Sequence, residues 1–60
     1  MKRDRIEEIA ELIDKRGKLS LTQLEKFFPH ISPMTLRRDL LFLEQAGKVI
    51  RVRGGAMSVK

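Results

Sequence analysis

Apolar positions fall into three stretches of helical period followed by one of strand period. From Arg3 to Arg16, Ile6, Ile9, Ala10 and Ile13 recur at helical spacing, with Leu12 beside them and charge elsewhere. That pattern predicts a first helix over about 3–16, ended by Gly17. Ser20 followed three residues later by Gln23 has the form of a capping box, and Leu21, Leu24, Phe27 and Phe28 supply an apolar face before Pro29. A second helix over about 21–28 is expected. Ser32 is a good N-cap, Pro33 has its preferred place at the first helical position, and Gly47 stands where a stop belongs, predicting a third helix over about 33–46. Beyond Gly47 the period becomes two. Ile50 and Val52 point one way and Arg51 and Arg53 the other, Gly54-Gly55 turns the chain, and Met57 and Val59 alternate again, which reads as a hairpin over about 48–59. Residues 19–21 fit either a short third strand or an extended entry to the second helix.

With no repeats, linkers or low-complexity tracts, residues 1–60 are expected to form one unit, mainly α with a small β-hairpin: a winged helix-turn-helix. A chain this short buries roughly 60% of the surface it exposes unfolded, leaving little room for an enclosed active site. Leu36, Leu40 and Leu43 share one face of the third helix and are expected in the core. The methionines and phenylalanines other than Met34 are further core candidates. Leu41 and Phe42 miss that stripe, and one of them is expected to pack under the hairpin or against the first helix.

Charge sharpens the picture. Thirteen Lys and Arg against eight Asp and Glu give +5, which favours polyanionic partners, and six of the eight acids lie before residue 30 while 49–60 holds none. On the third helix, Met34 and Arg38 point almost directly away from the leucine stripe, with Thr35 and Arg37 flanking them, at about 100° per residue. A basic second helix after a short turn is the arrangement that enters the major groove. There an Arg can make a two-pronged contact with guanine, and a Thr or Met methyl can meet the thymine methyl. Arg38 is the first candidate for base reading. Ser32 and Pro33, at the helix N-terminus, are candidates for a backbone phosphate, as are Arg51, Arg53 and Gly54 on the wing, which also reach towards a minor groove. Asp39 lies nearer the core side, where it is expected to orient an Arg or hold another helix.

Other chemistry finds few candidates. The chain has no cysteine, which removes disulfides, thiolate zinc sites and thiol nucleophiles, and it fits a reducing compartment. His30 stands alone, so no metal is expected, and no catalytic set or phosphate-binding glycine loop is present, so no enzyme and no cofactor are expected. No apolar run approaches the roughly 18–20 residues of a membrane span, and acids fill the N-terminus where a signal peptide needs an apolar stretch; the cytoplasm is the expected location. Acids on the polar face of the first helix argue against a membrane-surface domain. The alternative of another class is a protein-interaction module docking through an apolar patch of Met34, Leu41 and Phe42.

Ser32 to Ala56 reads SPMTLRRDLLFLEQAGKVIRVRGGA, which resembles the signature of DeoR-type bacterial transcription regulators, and GKLSLTQL from Gly17 to Leu24 extends the likeness upstream. The turn Phe28-Pro29-His30-Ile31-Ser32 is one residue longer than the family's usual Phe-Gly-Val-Ser. The resemblance implies a winged helix-turn-helix domain, most often of a repressor of operons for sugar or related metabolite use, with the helix around Thr35, Arg37 and Arg38 on operator DNA. It also implies a larger C-terminal domain that senses a phosphorylated sugar or related metabolite and helps form homo-oligomers. Residues 1–60 are then expected to be the DNA-binding part, whether excised from a longer regulator or a natural short form.

Overall fold

The structure is a computed structural model and describes residues 4–59. The expected start of the first helix at Arg3 and the last residue, Lys60, lie outside the described residues. In chain order the elements are α1 (Arg5–Arg16), β1 (Lys18–Ser20), α2 (Leu21–Phe27), α3 (Pro33–Gln45), β2 (Val49–Val52) and β3 (Gly55–Ser58).

Local chemistry sets the helix ends. Gly17, at φ 86°, ends α1, and its N–H reaches the Ile13 carbonyl at 2.7 Å. Ser20 and Gln23 form a complete capping box at the start of α2: the Gln23 N–H donates to Ser20 Oγ (3.1 Å) and the Ser20 N–H donates to Gln23 Oε1 (2.9 Å). Ser32 caps α3 by accepting the Thr35 N–H at 3.2 Å, with Pro33 at the first helical position. Phe28 is the C-cap of α2 and Ala46 that of α3, so each helix stops one residue short of the predicted span.

The third strand forms, one residue earlier than the 19–21 stretch considered for it. β3 is the middle strand, antiparallel to β1 on one side (Leu19 opposite Ala56) and to β2 on the other (Ile50 opposite Met57). Pairing with β1 also explains Gly55: a Cβ there would collide with the Leu19 carbonyl oxygen and come within 2.7 Å of the Ser20 Cα. The hairpin turn is therefore Arg53-Gly54, with Gly54 at φ 79°, and Gly55 already belongs to the strand.

Among the described residues nine form the buried hydrophobic core: Ile9 and Ile13 of α1, Leu19, Leu24, Leu36, Leu40 and Leu43, Val49 and Ala56. The inward row of the sheet is Leu19, Val49, Ala56 and Ser58, and Ile50 and Met57 face solvent, so the predicted alternation has its apolar side outside. The β3 members of that row, Ala56 and Ser58, are small because α1 lies close over β3: the Ser58 hydroxyl donates to Asp14 Oδ1 (2.9 Å) and the Ser58 N–H to the Gly17 carbonyl (2.7 Å). The expected aromatic and methionine core is not there. Phe27, Phe42 and Met57 are exposed, Met1 lies outside the described residues, Phe28 only packs against the core from its edge, and Leu41 lies on the surface with Phe42, while Met34 is exposed as expected. Aliphatic side chains already fill the few inward positions so small a domain has.

Candidate nucleic-acid interface

One side of the domain is built from the start of α3 and the wing. Leu36, Leu40 and Leu43 anchor α3 from below, so the opposite side is left to solvent: Met34 is 75% exposed, Arg37 and Arg38 are exposed, and Thr35 is half-buried. Ser32 and Pro33 stand exposed at the helix N-terminus, and the Ser32 hydroxyl also donates to Thr35 Oγ1 at 3.0 Å. Met34, Thr35, Arg37 and Arg38 thus form a basic ridge turned away from the core, with Met34 as its apolar member. An arginine on such a ridge can reach a base edge, and the helix N-terminus beside it favours anions.

The wing stands next to this ridge. Arg53 is exposed at the turn, and the Gly54 carbonyl accepts the N–H of Leu21, the first residue of α2, at 2.7 Å. Between α3 and the wing lies a cleft of about 220 Å³, lined by Leu21, Arg37, Leu40, Arg51, Val52, Gly54 and Gly55. The fold therefore brings Arg37, Arg51 and Gly54 to one cleft, keeps Ser32, Pro33, Met34, Thr35 and Arg38 along the helix, and leaves Arg53 at the tip.

Two contacts bear on the geometry of α3. Asp39, buried, receives a two-pronged contact from Arg5 of α1, Nε to Oδ2 at 2.6 Å and Nη2 to Oδ1 at 3.1 Å. The hydrogen bond to Asp39, and next the attraction of its charge, raise the Arg5 guanidinium above its ordinary pKa. The sequence expectation for Asp39 included such a tie but not its partner. The second contact was not anticipated: Arg51 Nη1 lies 3.9 Å from Glu44 Oε1, both side chains being over two-fifths exposed. Its only sequence signal is that Glu44 falls seven residues after Arg37 and so on the same side of α3.

His30 is exposed beside Asp4, Glu8 and Phe27. Among the described residues no group of three or more His, Cys, Asp or Glu is placed to hold a metal ion, and no helix is long and apolar enough to cross a membrane.

A family model for the DeoR-like helix-turn-helix domain matches residues 5–60. The lactose phosphotransferase system repressor of Streptococcus mutans is 46% identical over 57 residues, covering 95% of this chain and 22% of the relative. Proteins of the same name are 40% identical in Staphylococcus epidermidis and 39% identical in Staphylococcus aureus, with the same coverage. The chain thus spans about a fifth of the length of these relatives. No solved structure gives a significant match.

Proposed function

The chain belongs to the DeoR-like helix-turn-helix domain family, and from that premise we propose that it is the operator-reading domain of a bacterial transcription repressor controlling genes for the uptake or use of a sugar or related metabolite. It binds double-stranded DNA, with α3 in the major groove and the wing on the backbone or an adjoining minor groove. Arg38, Met34 and Thr35 read base edges, Arg37 and the Ser32-Pro33 end of α3 meet backbone phosphates, and Arg51, Arg53 and Gly54 carry the wing contact. The domain performs no reaction of its own. It works in the cytoplasm, within a longer homo-oligomeric regulator whose other domain binds a phosphorylated sugar or related metabolite.

The observation that carries this reading is the exposed ridge of Met34, Thr35, Arg37 and Arg38 on a capped helix held from below by buried leucines. The repressor names of the relatives support the regulatory role. An apolar docking module is not favoured, because Arg37 and Arg38 break the surface between Met34 and Leu41, and Phe42 lies about 100° round the helix from Leu41.

Selection from a random duplex pool, with the domain fused to a dimerising partner so that two half-sites are read together, tests the proposal. An enriched motif that blurs in Arg38→Ala is expected. Absence of enrichment in the parent protein would overturn sequence-specific reading.

A further inference from the structure

We propose that the cleft between α3 and the wing receives one phosphodiester of the bound duplex between Arg37 and Arg51, and that Glu44 is the counter-ion which this phosphate displaces. The inference rests on the DNA-binding reading above and assigns a role to Glu44, which acts through Arg51 as a positioning residue.

The cleft has the composition an anion needs. Among the described residues that line it, Arg37 comes from α3 and Arg51 from β2, the others offer apolar side chain and glycine backbone, and none is an acid. Its volume of about 220 Å³ holds a phosphate group with some water. Arg51 occupies the inward row of β2, opposite Ala56, yet its head is exposed and directed to Glu44 on α3 at 3.9 Å. Glu44 follows Arg37 by seven residues, so it lies about two turns further along the same side of the helix and outside the cleft.

A long, exposed ion pair of this kind is weak, and a guanidinium gains more from a two-pronged contact with phosphate. Arg51 therefore exchanges one anion for the other on binding. Until then Glu44 holds the guanidinium towards the C-terminal end of α3. Breaking that pair lowers affinity for any duplex irrespective of sequence, and so leaves selection to the base-reading residues.

Binding of a labelled mixed-sequence duplex of about 20 base pairs, followed by fluorescence anisotropy over a salt series, separates these roles in the parent chain, E44Q, R51A, R37A and E44Q/R51A. The substituted side chains are exposed, and matching circular dichroism spectra establish that the folds are equal. E44Q is expected to bind about two- to fivefold more tightly than the parent. R51A and R37A should each weaken binding and flatten the slope of log affinity against log salt by about 0.9, the release expected for one phosphate contact. With Arg51 removed, E44Q should change affinity by less than about 1.5-fold. Equal tightening in the presence and absence of Arg51 would reduce Glu44 to general repulsion and overturn the exchange, as would an E44Q indistinguishable from the parent or an R37A with the parent's slope. A parent chain whose duplex binding is absent or independent of salt would instead overturn the DNA-binding reading itself.

Discussion

Arg5 and Asp39, 34 residues apart, are joined by two parallel hydrogen bonds that tie the first turn of α1 to the middle of α3. The two ends differ: the Asp39 side chain is 6% exposed and that of Arg5 41%. Since Asp39 directly follows Arg38, this contact fixes the height and rotation of the stretch of α3 that carries the proposed base-reading arginine.

The asymmetry sets the order of the variants. Arg5→Ala leaves a buried carboxylate without its counter-charge, whereas Asp39→Ala returns an arginine to water. Thermal unfolding should therefore show Arg5→Ala as the less stable single variant, with part of its loss recovered in Arg5→Ala/Asp39→Ala. A cation with a raised pKa contributes in full below its ordinary value and loses that contribution only as pH climbs through the raised one. The gap between parent and Arg5→Ala should accordingly stay level over about pH 6–10. An Asp39→Ala that falls below Arg5→Ala would contradict this account.

The adjacent glycines of the wing should respond for different reasons. Around Gly54 a Cβ meets open space, so Gly54→Ala costs only the strain of its left-handed backbone, about 1–2 kcal/mol. Gly55→Ala drives a methyl into the backbone of β1 and forces the strands apart, a loss of about 3 kcal/mol or more where neither strand can yield. A domain this small has a total stability of about 3–5 kcal/mol, so urea titration should find Gly54→Ala weakened and Gly55→Ala largely unfolded.

Size does not decide which hydrophobic residues matter. Leu36→Ala or Leu43→Ala, at almost completely buried positions, should cost about 2–5 kcal/mol. Phe42→Ala and Leu41→Ala remove surface groups and should stay within about 1 kcal/mol of the parent by the same titration. A Phe42→Ala as damaging as Leu36→Ala would place the ring in the core after all.

For DNA, Arg38→Ala should narrow the preference for the selected site over random duplex by about 1–3 kcal/mol, the worth of a good two-pronged base contact. Arg53→Ala should weaken selected and random duplexes equally and reduce the salt slope by about 0.9. Competition binding with both duplexes measures the two effects together, and a reversal of these patterns would exchange the roles assigned to helix and wing.

What was legible in the sequence was local. The capping box of α2 and the Ser32 cap of α3 depend on residues three apart, and the solvent-facing ridge follows from helical period once the leucine stripe is recognised. The family likeness of Ser32 to Ala56 lies over the same stretch. The rest depended on distant partners. β1 has three residues and exists because β3 pairs with it. The hairpin's inner face is chosen by how closely α1 covers Ala56 and Ser58, which outweighs the apolar alternation of Ile50 and Met57. Arg5 as the partner of Asp39, and Glu44 as that of Arg51, follow only from the way helices and wing cross.

The bond from the Leu21 N–H to the Gly54 carbonyl also decides where the complex is compliant. With its turn fastened to the start of α2 and β3 paired on both sides, the wing is held against swinging towards a differently shaped duplex. Mismatch between protein and operator must then be taken up by the nucleic acid. Sequences that bend or narrow easily are favoured at positions no side chain touches, so the stiffness of a protein hairpin becomes a preference among DNA sequences.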